Sequence, residues 1–155
     1  MGKYTASVED HLILPARVRL VLPQEGQLAN RGQSVPAPVS IRLLIDTGAK
    51  RTTLIPGVVD HLRPITGGEA RLVTPFGSTM TDLVWVRLEF PEAGLASFPE
   101  VLVARHPMPP MLSQFHGLFG RDLLGRMHSL DYQGRRRRYV LRDTPGWLDW
   151  LWRWL

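Results

Sequence analysis

The run Ile41-Arg42-Leu43-Leu44-Ile45 ends on a carboxylate, Asp46, and that ending limits how the chain can fold. Aliphatic residues at this density belong in a core. An ionised acid at the tip is costly to bury unless hydrogen bonds or solvent meet it. The strand must therefore run out of the core to an opening at its end. Thr47 and Gly48 follow, and a glycine here lets the backbone turn tightly so that the carboxylate faces a cleft.

The other elements suit a sheet that would surround such a strand. With Pro 13 and Gly 14 among 155 residues, short strands joined by turns are favoured over long helices. Arg17 to Leu22 alternates charged and apolar residues, as a half-buried strand does, and residues 1–16 read as a polar lead-in. The Gly-, Gln- and Pro-rich stretch 23–38 predicts a long loop, and Pro56 to Leu62 one or two helical turns. Residues 70–74 and 79–90 flank Pro75-Phe76-Gly77-Ser78 and predict a hairpin with a glycine-bearing tip. A strand follows at 100–104, and the prolines of 106–111 impose irregular chain. Gly117 to Gly120 leads into a short helix over 121–127, and a last hairpin turns around Gly134. Thr144 and Pro145 then open a helix over the tail. The organisation predicted is a lead-in at 1–16, one β-rich domain at 17–142 and an amphipathic C-terminal helix at 143–155.

Composition removes several kinds of chemistry. A chain of this length fits one domain that buries roughly 70% of its unfolded surface, and 44% hydrophobic residues can supply its core. There is no cysteine, which excludes disulfides, thiolate metal sites and a cysteine nucleophile. His11, His61, His106, His116 and His128 are scattered, without the spacing of a zinc site, so neither metal nor cofactor is expected. No apolar run approaches the ~20 residues that span a bilayer, and the first residues lack a secretory apolar stretch. Met1-Gly2 misses the myristoylation pattern by one position, because the pattern wants Ser or Thr at the sixth residue and the serine here is Ser7. These features predict a cytoplasmic protein.

Three segments, in order, resemble the retroviral-type, retropepsin-like family of aspartic proteases. The first is Leu44-Ile45-Asp46-Thr47-Gly48-Ala49, continued by Thr52 and Leu54. The second is the hairpin of Thr74, Pro75, Phe76, Gly77 and Ser78, where the family carries its flap. The third is Leu118-Phe119-Gly120-Arg121-Asp122-Leu123-Leu124, similar to the family's apolar-apolar-glycine followed by a short helix. The resemblance spans roughly residues 17 to 141 and implies an all-β acid-protease barrel with a flap and short helices. It further implies a homodimer cleaving peptide or protein substrates, in which two Asp46 carboxylates share a proton and activate water. Thr47 would then hydrogen-bond across the dimer axis, and Arg121 would support the interface. Gly120 lets its strand pass close beneath the Asp46 loop. Asp-Thr-Gly is also an ordinary turn sequence, and the surrounding segments carry the reading beyond it.

Four features sit less easily in that pattern. Lys50 occupies a position where many family members have an acceptor, and an ammonium can only donate. It is expected to pair with Asp122, to face acidic substrate residues, or to stand solvated at the surface. The flap tip carries Pro75 and Phe76 in place of a glycine run. The run Arg135 to Arg138 lies in a hairpin turn without an aromatic platform, which favours a solvated loop over a nucleic-acid contact. In the tail, Trp147, Trp150, Trp152 and Trp154 join three leucines on an arc of about 200°. That face would pack on the domain or its dimer mate, or contact a membrane surface. Two rival functions follow: a catalytically inactive dimerisation or peptide-binding module of the same fold, and a basic adaptor at a membrane or RNA.

Overall fold

A computed structural model describes residues 2–8 and 11–144. In chain order its elements are β1 (Lys3–Ser7), β2 (Ile13–Arg19), α1 (Leu22–Asn30), β3 (Val39–Ile45), β4 (Thr53–Leu54) and α2 (Pro56–Leu62). Then come β5 (Thr66–Thr74), β6 (Gly77–Phe90), β7 (Leu95–Arg105), β8 (Gly117–Phe119), α3 (Arg121–Leu124), β9 (Ser129–Gln133) and β10 (Arg138–Arg142).

Strand alternation builds the barrel. In β2, Leu14, Ala16 and Val18 are buried between half-exposed neighbours, and β3 buries Ile41, Leu43 and Ile45 in the same rhythm. The strands run β2-β3-β8-β4-β7-β6, and β6 returns to β2 through Arg17 to Arg19 against Arg87 to Glu89. Six strands thus close on themselves, which leaves the barrel without an open edge. Phe90 stands edge-on to Phe98 at 5.9 Å and to Phe119 at 6.0 Å, at the centre of this core. The chain has the mostly β, retropepsin-like barrel fold with few short helices that the sequence predicts.

The long strand β6 has two roles. Its later half, from Leu83, pairs with β7 in the barrel wall. Its first half pairs with β5 in a hairpin that closes at Thr74 and Gly77, with Pro75 and Phe76 as the tip. Gly77 has φ 129°, a conformation open to glycine and strained for other residues.

A second sheet, β1-β10-β9, lies beside the barrel. Its inner strand buries Tyr139, Val140 and Leu141, and the Tyr139 hydroxyl donates to the Ile13 carbonyl, tying the two sheets together. Asp143 closes the same corner, accepting from the amides of Gly2 and Ala96 at 2.6 Å each.

The structure departs from the sequence expectations in three places. The lead-in at 1–16 holds β1 and the start of β2. Its signal is weak because β1 exposes every other residue and Pro15 interrupts β2; Pro15 is tolerated opposite Arg42, whose carbonyl accepts instead from the His116 amide at 2.9 Å. The first part of the expected loop at 23–38 is α1, with Pro23 in its first turn, where proline costs no hydrogen bond. None of its residues is buried, so no apolar stripe marks it; Glu25 holds it to the barrel through Arg19 and Arg87 at 3.4 and 3.0 Å. The expected helix over 121–127 stops at Leu124. The tryptophan-bearing tail lies outside the described residues. Among those described, no helix is long and apolar enough to cross a membrane.

Burial holds the Tyr139 phenol above the ordinary tyrosine range, with Tyr4 adding to the effect. Below about pH 10 folded and unfolded chains both keep this proton; above it the unfolded chain ionises first, and stability falls by about 1.4 kcal/mol per pH unit. Tyr139→Phe should flatten much of that alkaline slope in urea titrations, while lowering neutral-pH stability by about 1 kcal/mol through the lost hydrogen bond.

Candidate active site

Strand β3 delivers Asp46 to the barrel's end, and the turn after it is built around that carboxylate. Asp46 Oδ1 accepts from the Gly48 amide at 2.8 Å and the Ala49 amide at 3.3 Å. The Ala49 amide also reaches the Asp46 carbonyl at 3.2 Å, closing a β-turn. A methyl on Gly48 would lie 3.1 Å from Asp46 Oδ1, so glycine gives the carboxylate room to fold back over its own loop. Asp46 is half-buried, Thr47 and Gly48 are exposed, and Oδ2 has no hydrogen-bond partner among the described residues. One carboxylate oxygen is oriented by the backbone and the other is left without a partner among the described residues.

The third segment lies directly beneath this loop. The Asp46 amide donates to the Phe119 carbonyl at 3.1 Å, and the Arg121 amide to the Ala49 carbonyl at 2.8 Å. Between them, Gly120 passes so close that an added Cβ would meet the Arg51 carbonyl carbon at 2.6 Å and its oxygen at 2.8 Å. Those are backbone atoms of the Asp46 loop, and any side chain at 120 would displace them. Leu118 and Phe119 supply the strand that pairs with β3, in register with Leu44 and Ile45.

Thr52 and Asp122 complete the joint. The buried Thr52 hydroxyl donates to Asp122 Oδ1 at 2.8 Å and accepts from the Gly120 amide at 3.0 Å. Asp122 Oδ1 also accepts the amides of Thr52 and Leu123, both at 2.9 Å. Next along the chain, the Thr53 hydroxyl accepts the Leu118 amide at 3.2 Å. Thr53 is absent from the sequence reading, and Thr52 enters it only as a continuation of the first segment, without this supporting role. Their signal was present: two adjacent hydroxyls leading into Leu54-Ile55 have to be satisfied if that strand is buried.

Lys50 does not pair with Asp122, contrary to one expectation. The carboxylate is turned inward onto Thr52 and Leu123, where an exposed ammonium would have to be desolvated to reach it. Lys50 and Arg121 are both exposed and without an ion partner among the described residues.

The hairpin tip is locally ordered by its own hydroxyls. Thr74 Oγ1 accepts the Phe76 amide and donates to the Gly77 carbonyl, both at 3.2 Å, and Arg71 reaches Ser78 Oγ at 2.9 Å. Its apolar side chains face outward: Val73 is 75% exposed, Phe76 79% and Met80 60%. Within one chain they cover nothing.

Chemically, the turn itself presents one carboxylate, Asp46, while Asp122 sits on the segment below and takes three hydrogen bonds on Oδ1 from Thr52 and Leu123. Among the described residues, no group of three or more His, Asp or Glu side chains could hold a metal ion.

No family model and no curated protein matches the sequence. Among solved structures, the chain is similar to a retropepsin-like aspartic protease from Rickettsia conorii. The two are 14% identical, the match covers 94% of each chain, and the TM-score is 0.55. This likeness is one of fold.

Removing the Thr52 hydroxyl should loosen the joint. Thr52→Val leaves the Gly120 amide unpaired in a buried place and should lower the unfolding free energy by about 2 kcal/mol or more. Thr52→Ser, which keeps the hydroxyl, should cost less than half of that in the same urea titration.

Proposed function

We propose that this protein is an aspartic endopeptidase, acting as a homodimer in which each copy supplies one Asp46. The observation that carries the reading is the state of that carboxylate. Its Oδ1 is held by two backbone amides, its Oδ2 is unengaged, and its loop is pinned from below by Gly120 and Thr52. Such a loop is shaped to present a carboxylate, and chemistry that needs two of them requires a second copy. The exposed Thr47 at the same edge, the exposed apolar hairpin tip and the fold likeness support the same conclusion.

In this mechanism the two Asp46 side chains share one proton across the dimer axis. The ionised carboxylate takes a proton from water as the water oxygen attacks the scissile carbonyl carbon, and the protonated one donates toward the carbonyl oxygen. The tetrahedral species collapses by breaking the C–N bond, and a carboxyl proton leaves with the amine. Thr47 and Gly48 hold the loops, and Thr74 to Ser78 close over an extended substrate bound through main-chain hydrogen bonds.

Peptide-library cleavage by the wild-type protein and Asp46→Asn tests this directly. Wild type should cleave with a bell-shaped pH profile belonging to the carboxylate pair, and Asp46→Asn should lose at least about a thousandfold in rate. At dilute protein, activity should rise faster than linearly with concentration, as required of a site assembled from two chains. Full function in Asp46→Asn would replace the protease reading with that of a peptide-binding module.

A further inference from the structure

Resting on the protease reading, we infer that the cleft selects peptides bearing Asp or Glu near the scissile bond, and that Lys50 is the residue that selects them. The β-turn from Asp46 to Ala49 keeps those two Cα atoms within about 7 Å, and Lys50 lies one residue, about 3.8 Å, further on. An extended peptide advances about 3.3 Å per residue. The Lys50 ammonium therefore reaches side chains up to about three residues from the bond being cut.

Cations cluster beside the catalytic turn. Lys50 and Arg51 follow the catalytic turn, and Arg121 joins it through the Ala49 carbonyl. Arg71, on the hairpin, rests on the neutral Ser78 hydroxyl. None of these four cations forms an ion pair among the described residues. Arginines can be matched in this fold, since Arg19 and Arg87 share Glu25 and Glu89 and Arg105 holds Asp60 at 2.9 Å, but those by the catalytic turn are not. The acids nearest in sequence to Lys50, Arg51 and Arg121 are Asp46, reserved for catalysis, and Asp122, whose Oδ1 takes three hydrogen bonds from Thr52 and Leu123. A second copy doubles the imbalance. An ammonium accepts no hydrogen bond from a substrate amide, and a carboxylate is its natural partner. Beneath a closed hairpin, where water is scarcer, the attraction strengthens.

The test uses a set of peptides identical except for Glu, Gln or Lys at one position two or three residues from the scissile bond. Wild type should prefer Glu over Lys by about tenfold or more in kcat/KM at low salt, an advantage that shrinks as salt is added. Lys50→Glu should reverse the order. Arg31→Glu, an equal change of net charge just beyond α1, should keep it. Binding of the same peptides to Asp46→Asn, followed by fluorescence anisotropy, gives a readout independent of cleavage. Cleavage without charge preference, or with a preference that Lys50→Glu leaves in place, overturns the inference and leaves the protease reading intact. Lys50-dependent binding of Glu peptides without cleavage by wild type supports the inference and overturns the protease reading. Charge-independent binding together with no cleavage overturns both.

Discussion

The Thr52 hydroxyl holds together two pieces of chain that are far apart in sequence. It gives its proton to Asp122 and receives that of the Gly120 amide, so the loop carrying Asp46 and the segment beneath it share one buried hydrogen-bonded joint. Everything above depends on it. The backbone closeness at Gly120, the bond from Asp46 to Phe119 and the bond from Arg121 to Ala49 all span the same gap. A buried hydroxyl with both capacities filled is rigid because every alternative position leaves some group unpaired. That rigidity passes to a carboxylate which otherwise sits on a short exposed turn.

Much of this was legible before the structure. The aliphatic density of Ile41 to Ile45 marked a core strand, Asp46 marked where that strand leaves the core, and Gly120 marked a close passage of backbone. Those signals are local, and they survive because each reports a steric or solvation demand at one residue. What escaped detection depends on distant partners. Helix α1 buries no residue, so it shows no apolar stripe; its attachment lies in Glu25 meeting two arginines from β2 and β6. Strand β1 becomes a strand because β10 is there to pair with it. Asp122 looked available to Lys50 in sequence, and only the fold shows it filled by Thr52 and Leu123.

The structure also separates what one chain completes from what it leaves open. The barrel is closed, its core is filled, and its joint is satisfied. The outward parts are different in kind: an unengaged carboxylate oxygen, an exposed threonine, apolar residues at a hairpin tip and unmatched cations. Large apolar side chains held in the open on an ordered hairpin are the sort of surface that a second body covers. Finished interior and unfinished rim are what the proposed homodimer would bring together.

The pairing of β1 with β10 has a consequence for how the protein is made. Lys3 faces Arg142 and Ser7 faces Arg138, so this ladder joins the most widely separated strands among the described residues. Contacts of such span carry the largest loop-closure cost and form late. During synthesis, β1 must wait unpaired until β10 leaves the ribosome. Its alternately exposed, partly polar face suits that wait, since a fully apolar strand would invite aggregation in the interval. The sheet is thus a clasp fastened last, over a barrel whose neighbouring strands can begin pairing while it is still open.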